Sequence, residues 1–150
     1  IHQAMKISNE WWTAPTESEN GRLVMVTGRR DMEQVMSSGK YNDRVEVTWK
    51  YEGEANGMPD KKTSMLMEEV TDSLQAVFKK DPVAIMTGIY TGDDERNWVF
   101  YVKNMHIFGH RFNQALEQFE LLPIDLYAEK DPDWEEYREM KEHSYIDDGE

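Results

Sequence analysis

A chain of 150 residues with 39% hydrophobic and 31% charged positions has the composition of one folded domain, not of a disordered segment. Its formal net charge of −13 repels phosphate backbones and anionic lipid, so nucleic acid and membrane surfaces are not the expected partners. It contains no cysteine, which excludes disulfides, zinc–thiolate and iron–sulfur sites and cysteine nucleophiles.

No apolar run reaches the length of a membrane span, and no basic stretch followed by an apolar run opens the chain. A cytoplasmic location is the expectation. The charge is unevenly placed: residues 131–150 carry nine acids against two bases. Such a field favours a basic partner or keeps the domain in solution.

In chain order, residues 1–10 read as a tail, 11–142 as a single α+β domain and 143–150 as an acidic C-terminal tail. Trp11 to Ser18 and Arg22 to Arg30 flank Glu19-Asn20-Gly21, an Asn-Gly turn between two strand-like runs that predicts a hairpin. Asp31 to Ser38 has the length of a short helix ending near Gly39. From Arg44 to Tyr51 the residues alternate, with Val45, Val47, Trp49 and Tyr51 on one face and Glu46, Thr48 and Lys50 on the other. That is a strand with one buried side.

Ser64 to Lys80 reads as a helix on the stripe of Met67, Val70, Leu74, Val77 and Phe78, capped by Thr63 or Ser64 and stopped by Asp81-Pro82. Val83 to Tyr90 and Asn97 to Lys103 are strand-like and flank a loop at Thr91-Gly92-Asp93-Asp94. The second of these runs is apolar on both faces, as an interior strand should be. His106 to Phe119 is a further helix, with Phe108, Phe112, Ala115, Leu116 and Phe119 inward. Ile124 to Ala128 is a short strand. Asp131-Pro132-Asp133 then opens a C-terminal helix, with Asp131 as cap and Pro132 in the first turn.

From Arg44 to Ala128 the order is strand, helix, strand, strand, helix, strand. This predicts a ferredoxin-like βαββαβ core with an antiparallel sheet, to which the N-terminal β-hairpin and the C-terminal helix are added. Both core helices then lie on one face. Trp98, Phe100 and Val102 point toward them, leaving Thr48, Val99 and Tyr101 on the open face.

Three segments carry a resemblance: Gly57-Met-Pro59, Arg96-Asn-Trp-Val-Phe-Tyr101 and Asp131-Pro-Asp-Trp-Glu-Glu-Tyr137. In order and spacing the chain from Trp11 to Tyr137 resembles a bacterial family catalogued as domain of unknown function 695. The resemblance implies no catalytic residue. Some members resemble proteins fused to an acidic, ferredoxin-like regulator of ribonuclease E activity, which implies regulation by binding.

The candidate sites compete with plainer readings. His106 and His110 stand four apart on one helix face, a spacing that grips divalent metals, but they lie opposite the buried stripe and lack the Glu of the zinc-protease helix, where Ile107 stands. No metal site is expected, with these two as weak candidates. The aromatic strand at Arg96–Lys103 offers only Tyr101 to a base and sits in an acidic chain, so RNA binding is not expected. Asp131, Asp133, Glu135 and Glu136 read as helix-cap acids rather than a glycosidase pair. No serine elbow or glycine-rich phosphate loop occurs.

The leading expectation is a non-enzymatic regulatory or protein-interaction domain with no cofactor. Its contact surface is expected at Trp134, Glu135, Glu136, Tyr137 and Glu139, together with Thr48, Val99 and Tyr101, facing a partner with a basic surface. A homodimer through the open sheet face is a second use of the same patch. The alternative is a small-ligand-binding domain with a pocket between the sheet and the N-terminal hairpin. An enzyme is third.

Overall fold

A computed structural model describes residues 6–145. The Asn-Gly signal produces a hairpin: β1 (Trp11–Glu17) pairs with β2 (Leu23–Arg29) from Trp11 opposite Arg29 to Glu17 opposite Leu23. A five-residue helix, α1 (Glu33–Ser37), follows and buries Val35. The alternating segment forms β3 (Asp43–Lys50), with Val45, Val47 and Trp49 buried.

Helix α2 (Lys61–Lys80) starts three residues earlier than its apolar stripe suggests. Its cap is Asp60, whose carboxylate accepts the Thr63 amide at 2.8 Å, and not Thr63 or Ser64. Asp60, three residues before Thr63, holds the extended backbone that a cap requires. Lys79 and Lys80 lie at the negative end of the helix dipole.

β4 (Ala84–Gly92) and β5 (Glu95–Val102) run closer together than the predicted four-residue loop allows. Gly92 pairs directly with Glu95. Only Asp93 and Asp94 turn the chain, with φ of 52° and 68°. Two successive left-handed residues make the tight turn whose twist suits a hairpin, and aspartate tolerates that conformation better than most side chains. Helix α3 (Met105–Leu116), strand β6 (Ile124–Lys130) and helix α4 (Glu135–Ser144) complete the chain.

The six strands form one antiparallel sheet in the order β1-β2-β4-β5-β3-β6. β3 and β5 are interior, and the hairpin extends the sheet beyond β4. The fold is α+β. Each face of the sheet carries its own core, because β5 is apolar on both sides. On one face Trp98, Phe100 and Val102 meet Leu74 and Phe78 of α2 and Phe108 and Phe112 of α3. On the other, Val99 and Tyr101 join Trp12 and Val26 of the hairpin, Val35 of α1, and Trp134, Tyr137 and Met140 at the start and along α4. Helices therefore sandwich the sheet.

The seat of α4 depends on two glycines that face each other across β2 and β4, Gly28 and Gly88. A Cβ on Gly28 would stand 2.2 Å from the Trp12 ring, and one on Gly88 would stand 2.8 Å from the Met140 sulfur. The missing side chains make a dent that these two large residues fill.

Among the described residues no helix is long and apolar enough to cross a membrane.

Candidate functional site, an acidic hollow on the sheet

Alternation along β3 and β5 decides what faces away from α2 and α3. Arg44, Glu46, Thr48 and Lys50 point there from β3, and Glu95, Asn97, Val99 and Tyr101 from β5. α4 covers the Tyr101 end. It is held by Trp134, whose ring stacks on Tyr101 with centroids 4.1 Å apart and whose indole N–H donates to the Tyr41 carbonyl at 2.8 Å.

The start of α4 is built around Asp131. Its Oδ1 accepts the Glu135 amide at 2.9 Å, and its Oδ2 accepts the Tyr101 phenol at 2.7 Å and an Arg44 N–H at 2.8 Å. Asp131 thus serves the helix start through its carboxylate, but the N-cap position that the sequence context gave it belongs to Trp134. The helix itself begins at Glu135, after Trp134 takes a left-handed φ of 56°, and Pro132 lies outside the first turn. Burial opposes ionisation of Asp131, but the donors from Tyr101, the Glu135 amide and Arg44 outweigh it and hold the carboxyl below the usual range. Arg44 also binds Glu46 at 2.8 Å and Glu129 at 2.9 Å, so one guanidinium gathers three carboxylates.

Beyond the edge of α4 the sheet is uncovered and forms a hollow of about 620 Å³. Its floor is Thr48, Asn97 and Val99, and Tyr90 stands at one side. Glu46, Glu95, Asp125 and Glu136 surround it, with Lys50 as the one cation among the lining residues. The Thr48 hydroxyl donates to the Asn97 side-chain oxygen, which fixes the floor.

Glu136 is the wall on the α4 side. Its Oε2 accepts the Tyr90 phenol, while Oε1 is buried without a partner among the described residues. Burial pushes the Glu136 carboxyl up to about 7, and the Tyr90 hydrogen bond works against this. Burial, then the Glu136 charge, raises the Tyr90 phenol far above its ordinary value.

The surface expected from the sequence is corrected here. Trp134, Tyr137, Val99 and Tyr101 are all buried, at 2% exposure or less, because α4 lays its apolar stripe on the sheet. Glu136 is half-buried beside them, with its Oε1 buried, and Glu135 and Glu139 are exposed. Thr48 remains half-buried on the floor of the hollow. The open face that was to carry a homodimer is therefore mostly covered. Toward the hairpin, α4 leaves a smaller hollow of about 310 Å³ against Thr16, Val26 and Tyr90. The predicted tail boundary also moves: α4 runs through His143 to Ser144, whose hydroxyl accepts the Trp12 indole N–H at 3.0 Å. Residues 146–150 lie outside the described residues.

His106 and His110 are exposed on α3, with their Nε2 atoms 3.3 Å apart. Among the described residues no group of three His, Asp or Glu side chains is placed to hold a metal ion. The pair shares a hydrogen bond.

Sequence reasoning missed the hollow itself. Glu46 and Thr48 were visible as the polar face of β3, but Glu95 and Asp125 sit on β5 and β6, which flank β3 although both are far from it in the chain. Their convergence depends on β3 lying between β5 and β6.

A model of the family of unknown function 695 matches residues 10–140, and the chain belongs to that family. No curated protein and no solved structure matches it.

Proposed function

We propose that this chain is a non-enzymatic binding domain whose acidic hollow receives cationic side chains of a protein partner. The observation that carries the reading is the convergence of Glu46, Glu95, Asp125 and Glu136 around one polar hollow with a single lysine. Arg44 already offsets Glu46, so Glu95 and Asp125 supply the accessible negative charge. An arginine side chain suits the place. Its planar fork reaches two carboxylates at once, and the Asn97 and Thr48 oxygens sit beneath it. The whole-chain charge of −13 and the exposed Glu135 and Glu139 on the adjoining helix add a field that draws basic segments inward.

The test is a titration of the labelled protein with a short arginine-rich peptide, followed by amide chemical shifts. The reading expects saturable shifts centred on Thr48, Asn97 and Val99, and their loss in Glu95→Gln/Asp125→Asn protein. Shifts spread evenly over the acidic surface, or unchanged in that variant, would remove the hollow as a binding site.

A further inference from the structure

The face of the sheet that carries α2 and α3 holds a second concave site, with the opposite charge. Arg29, at the end of β2, shares that face with Trp11, its cross-strand partner. Its guanidinium lies 4.7 Å from the centroid of the Trp11 ring. One Nη donates to the Met86 carbonyl at 2.9 Å and the other to the Asn9 side-chain oxygen at 3.4 Å, while Nε is buried with no acceptor. Both partners are neutral. Among the described residues no carboxylate pairs with Arg29, although the chain has thirty acids against seventeen lysines and arginines. Burial pulls the guanidinium down to about 10, and the Tyr137 phenol opposes this. The group is still charged at neutral pH. A half-buried cation with a buried Nε and only neutral partners carries a desolvation cost, and a bound anion would offset it.

Arg29 does not point into packed protein alone. It lines a cavity of about 520 Å³ between α2 and the ends of β2 and β4. The floor is apolar: Phe78, Pro82 and Met86, with Ile7 at one side. The rim is one stripe of α2, where exposed Asp72 and Lys79 balance each other and Ala76 stands between them. Inside the cavity the unbalanced charge is thus a single positive one. The size falls within the range of small-molecule pockets, and an apolar lining with one fixed polar group is their usual chemistry.

We propose that this cavity binds a small monocarboxylate with an apolar body, its carboxylate on the Arg29 Nη groups and its body against Phe78, Pro82 and Met86. One negative charge matches the one uncompensated cation. A compact dianion such as phosphate would leave excess negative charge in an already acidic protein and would leave the apolar floor uncovered. This site lies on the other side of the sheet from the acidic hollow and does not depend on the reading given to it.

The test uses decanoate as probe, with decanol and inorganic phosphate as controls, read by calorimetry and by amide shifts. Decanoate is expected to bind once per chain and to move the signals of Gln75, Phe78 and Met86. Arg29→Gln should weaken it by roughly tenfold or more, and decanol should bind wild type weakly with no response to Arg29→Gln. Should Arg29→Gln fail to fold, Ala76→Phe narrows the mouth from an exposed helix position and should also weaken decanoate without disturbing the core. The proposal is overturned if decanoate does not saturate, if decanol binds as well as decanoate, if phosphate binds in its place, or if Ala76→Phe leaves binding intact.

Discussion

Tyr101 donates its phenolic proton to Asp131 at 2.7 Å, and through that bond an interior strand fixes the start of the last helix. The contact couples the sheet to α4: Tyr101 of β5 and Arg44 of β3 fix the carboxylate that accepts the first amide of the helix. Because Asp131 is buried and meets three kinds of donor, its removal should be severe. Asp131→Ala is expected to cost about 2–4 kcal/mol, since it takes the acceptor from the Tyr101 hydroxyl and the Glu135 amide and leaves Arg44 with only Glu46 and Glu129. Urea unfolding followed by tryptophan fluorescence measures this. A loss below about 1 kcal/mol would mean that α4 is held by its apolar stripe alone. The folded carboxyl titrates below its ordinary range, so its contribution is complete at neutral pH and is lost as pH falls through the folded value.

Glu136 has the opposite linkage. Its folded value is raised from 4.5 to about 7, so between those values the folded chain holds a proton that the unfolded chain has released. Stability therefore falls as pH rises through that window. Glu136→Gln removes the titrating charge and keeps an oxygen for the Tyr90 phenol. The variant should gain roughly 2–3 kcal/mol over wild type at pH 8 and little at pH 4.5. Equal stabilities of the two proteins across the range would show that Glu136 is solvated.

Trp98 is fully buried on the α2 side of β5, and its indole N–H donates to the Thr71 hydroxyl at 2.8 Å. Trp98→Ala should cost about 3–5 kcal/mol by leaving a large cavity beside Trp49 and Leu74. Thermal or urea unfolding reads this directly, and an unchanged midpoint would remove Trp98 from the core.

His106 and His110 are expected to give no tight zinc or nickel binding, because two exposed ligands without a third leave the ion mostly hydrated. A stoichiometric, submicromolar calorimetric signal lost in His110→Ala would contradict this.

How far the sequence could be read depends on the range of the signal. The hairpin, the faces of β3, the stripe of α2 and the two-sided β5 are local patterns, and each is visible within about eight residues or a few helical turns. Placing Trp98, Phe100 and Val102 toward the helices needed only alternation. The apolar face of α4 was equally visible in Trp134 and Tyr137, but whether it pointed at a partner or at its own sheet was not. That is decided by Gly28 and Gly88, which look like ordinary strand positions until the dent they make is filled by Trp12 and Met140. The acidic hollow and the Arg29 cavity were hidden for a similar reason. Glu95 meets Asp125, and Arg29 meets Phe78, only through strand order and crossover, which residue patterns do not encode singly.

The same geometry separates two kinds of acid in partner binding. Glu135 and Glu139 are exposed on α4, whereas Glu95 and Asp125 line the hollow. Distant exposed charges act on encounter, and their reach shrinks as the Debye length falls from about 30 Å at 0.01 M salt to about 8 Å at 0.15 M. Glu135→Gln/Glu139→Gln should therefore slow association with a basic peptide at low salt, leave dissociation nearly unchanged, and have little effect at 0.15 M. Glu95→Gln/Asp125→Asn should speed dissociation at both salt concentrations, because in the proposed complex those groups contact the cationic side chain. Neither change should alter folding much, since Glu135, Glu139 and Asp125 are exposed and Glu95, half-buried, has no ion-pair partner among the described residues. Stopped-flow kinetics at the two salt concentrations distinguishes the pairs. If both variants change only association, the hollow is part of a diffuse acidic surface, and the contact lies elsewhere on the chain.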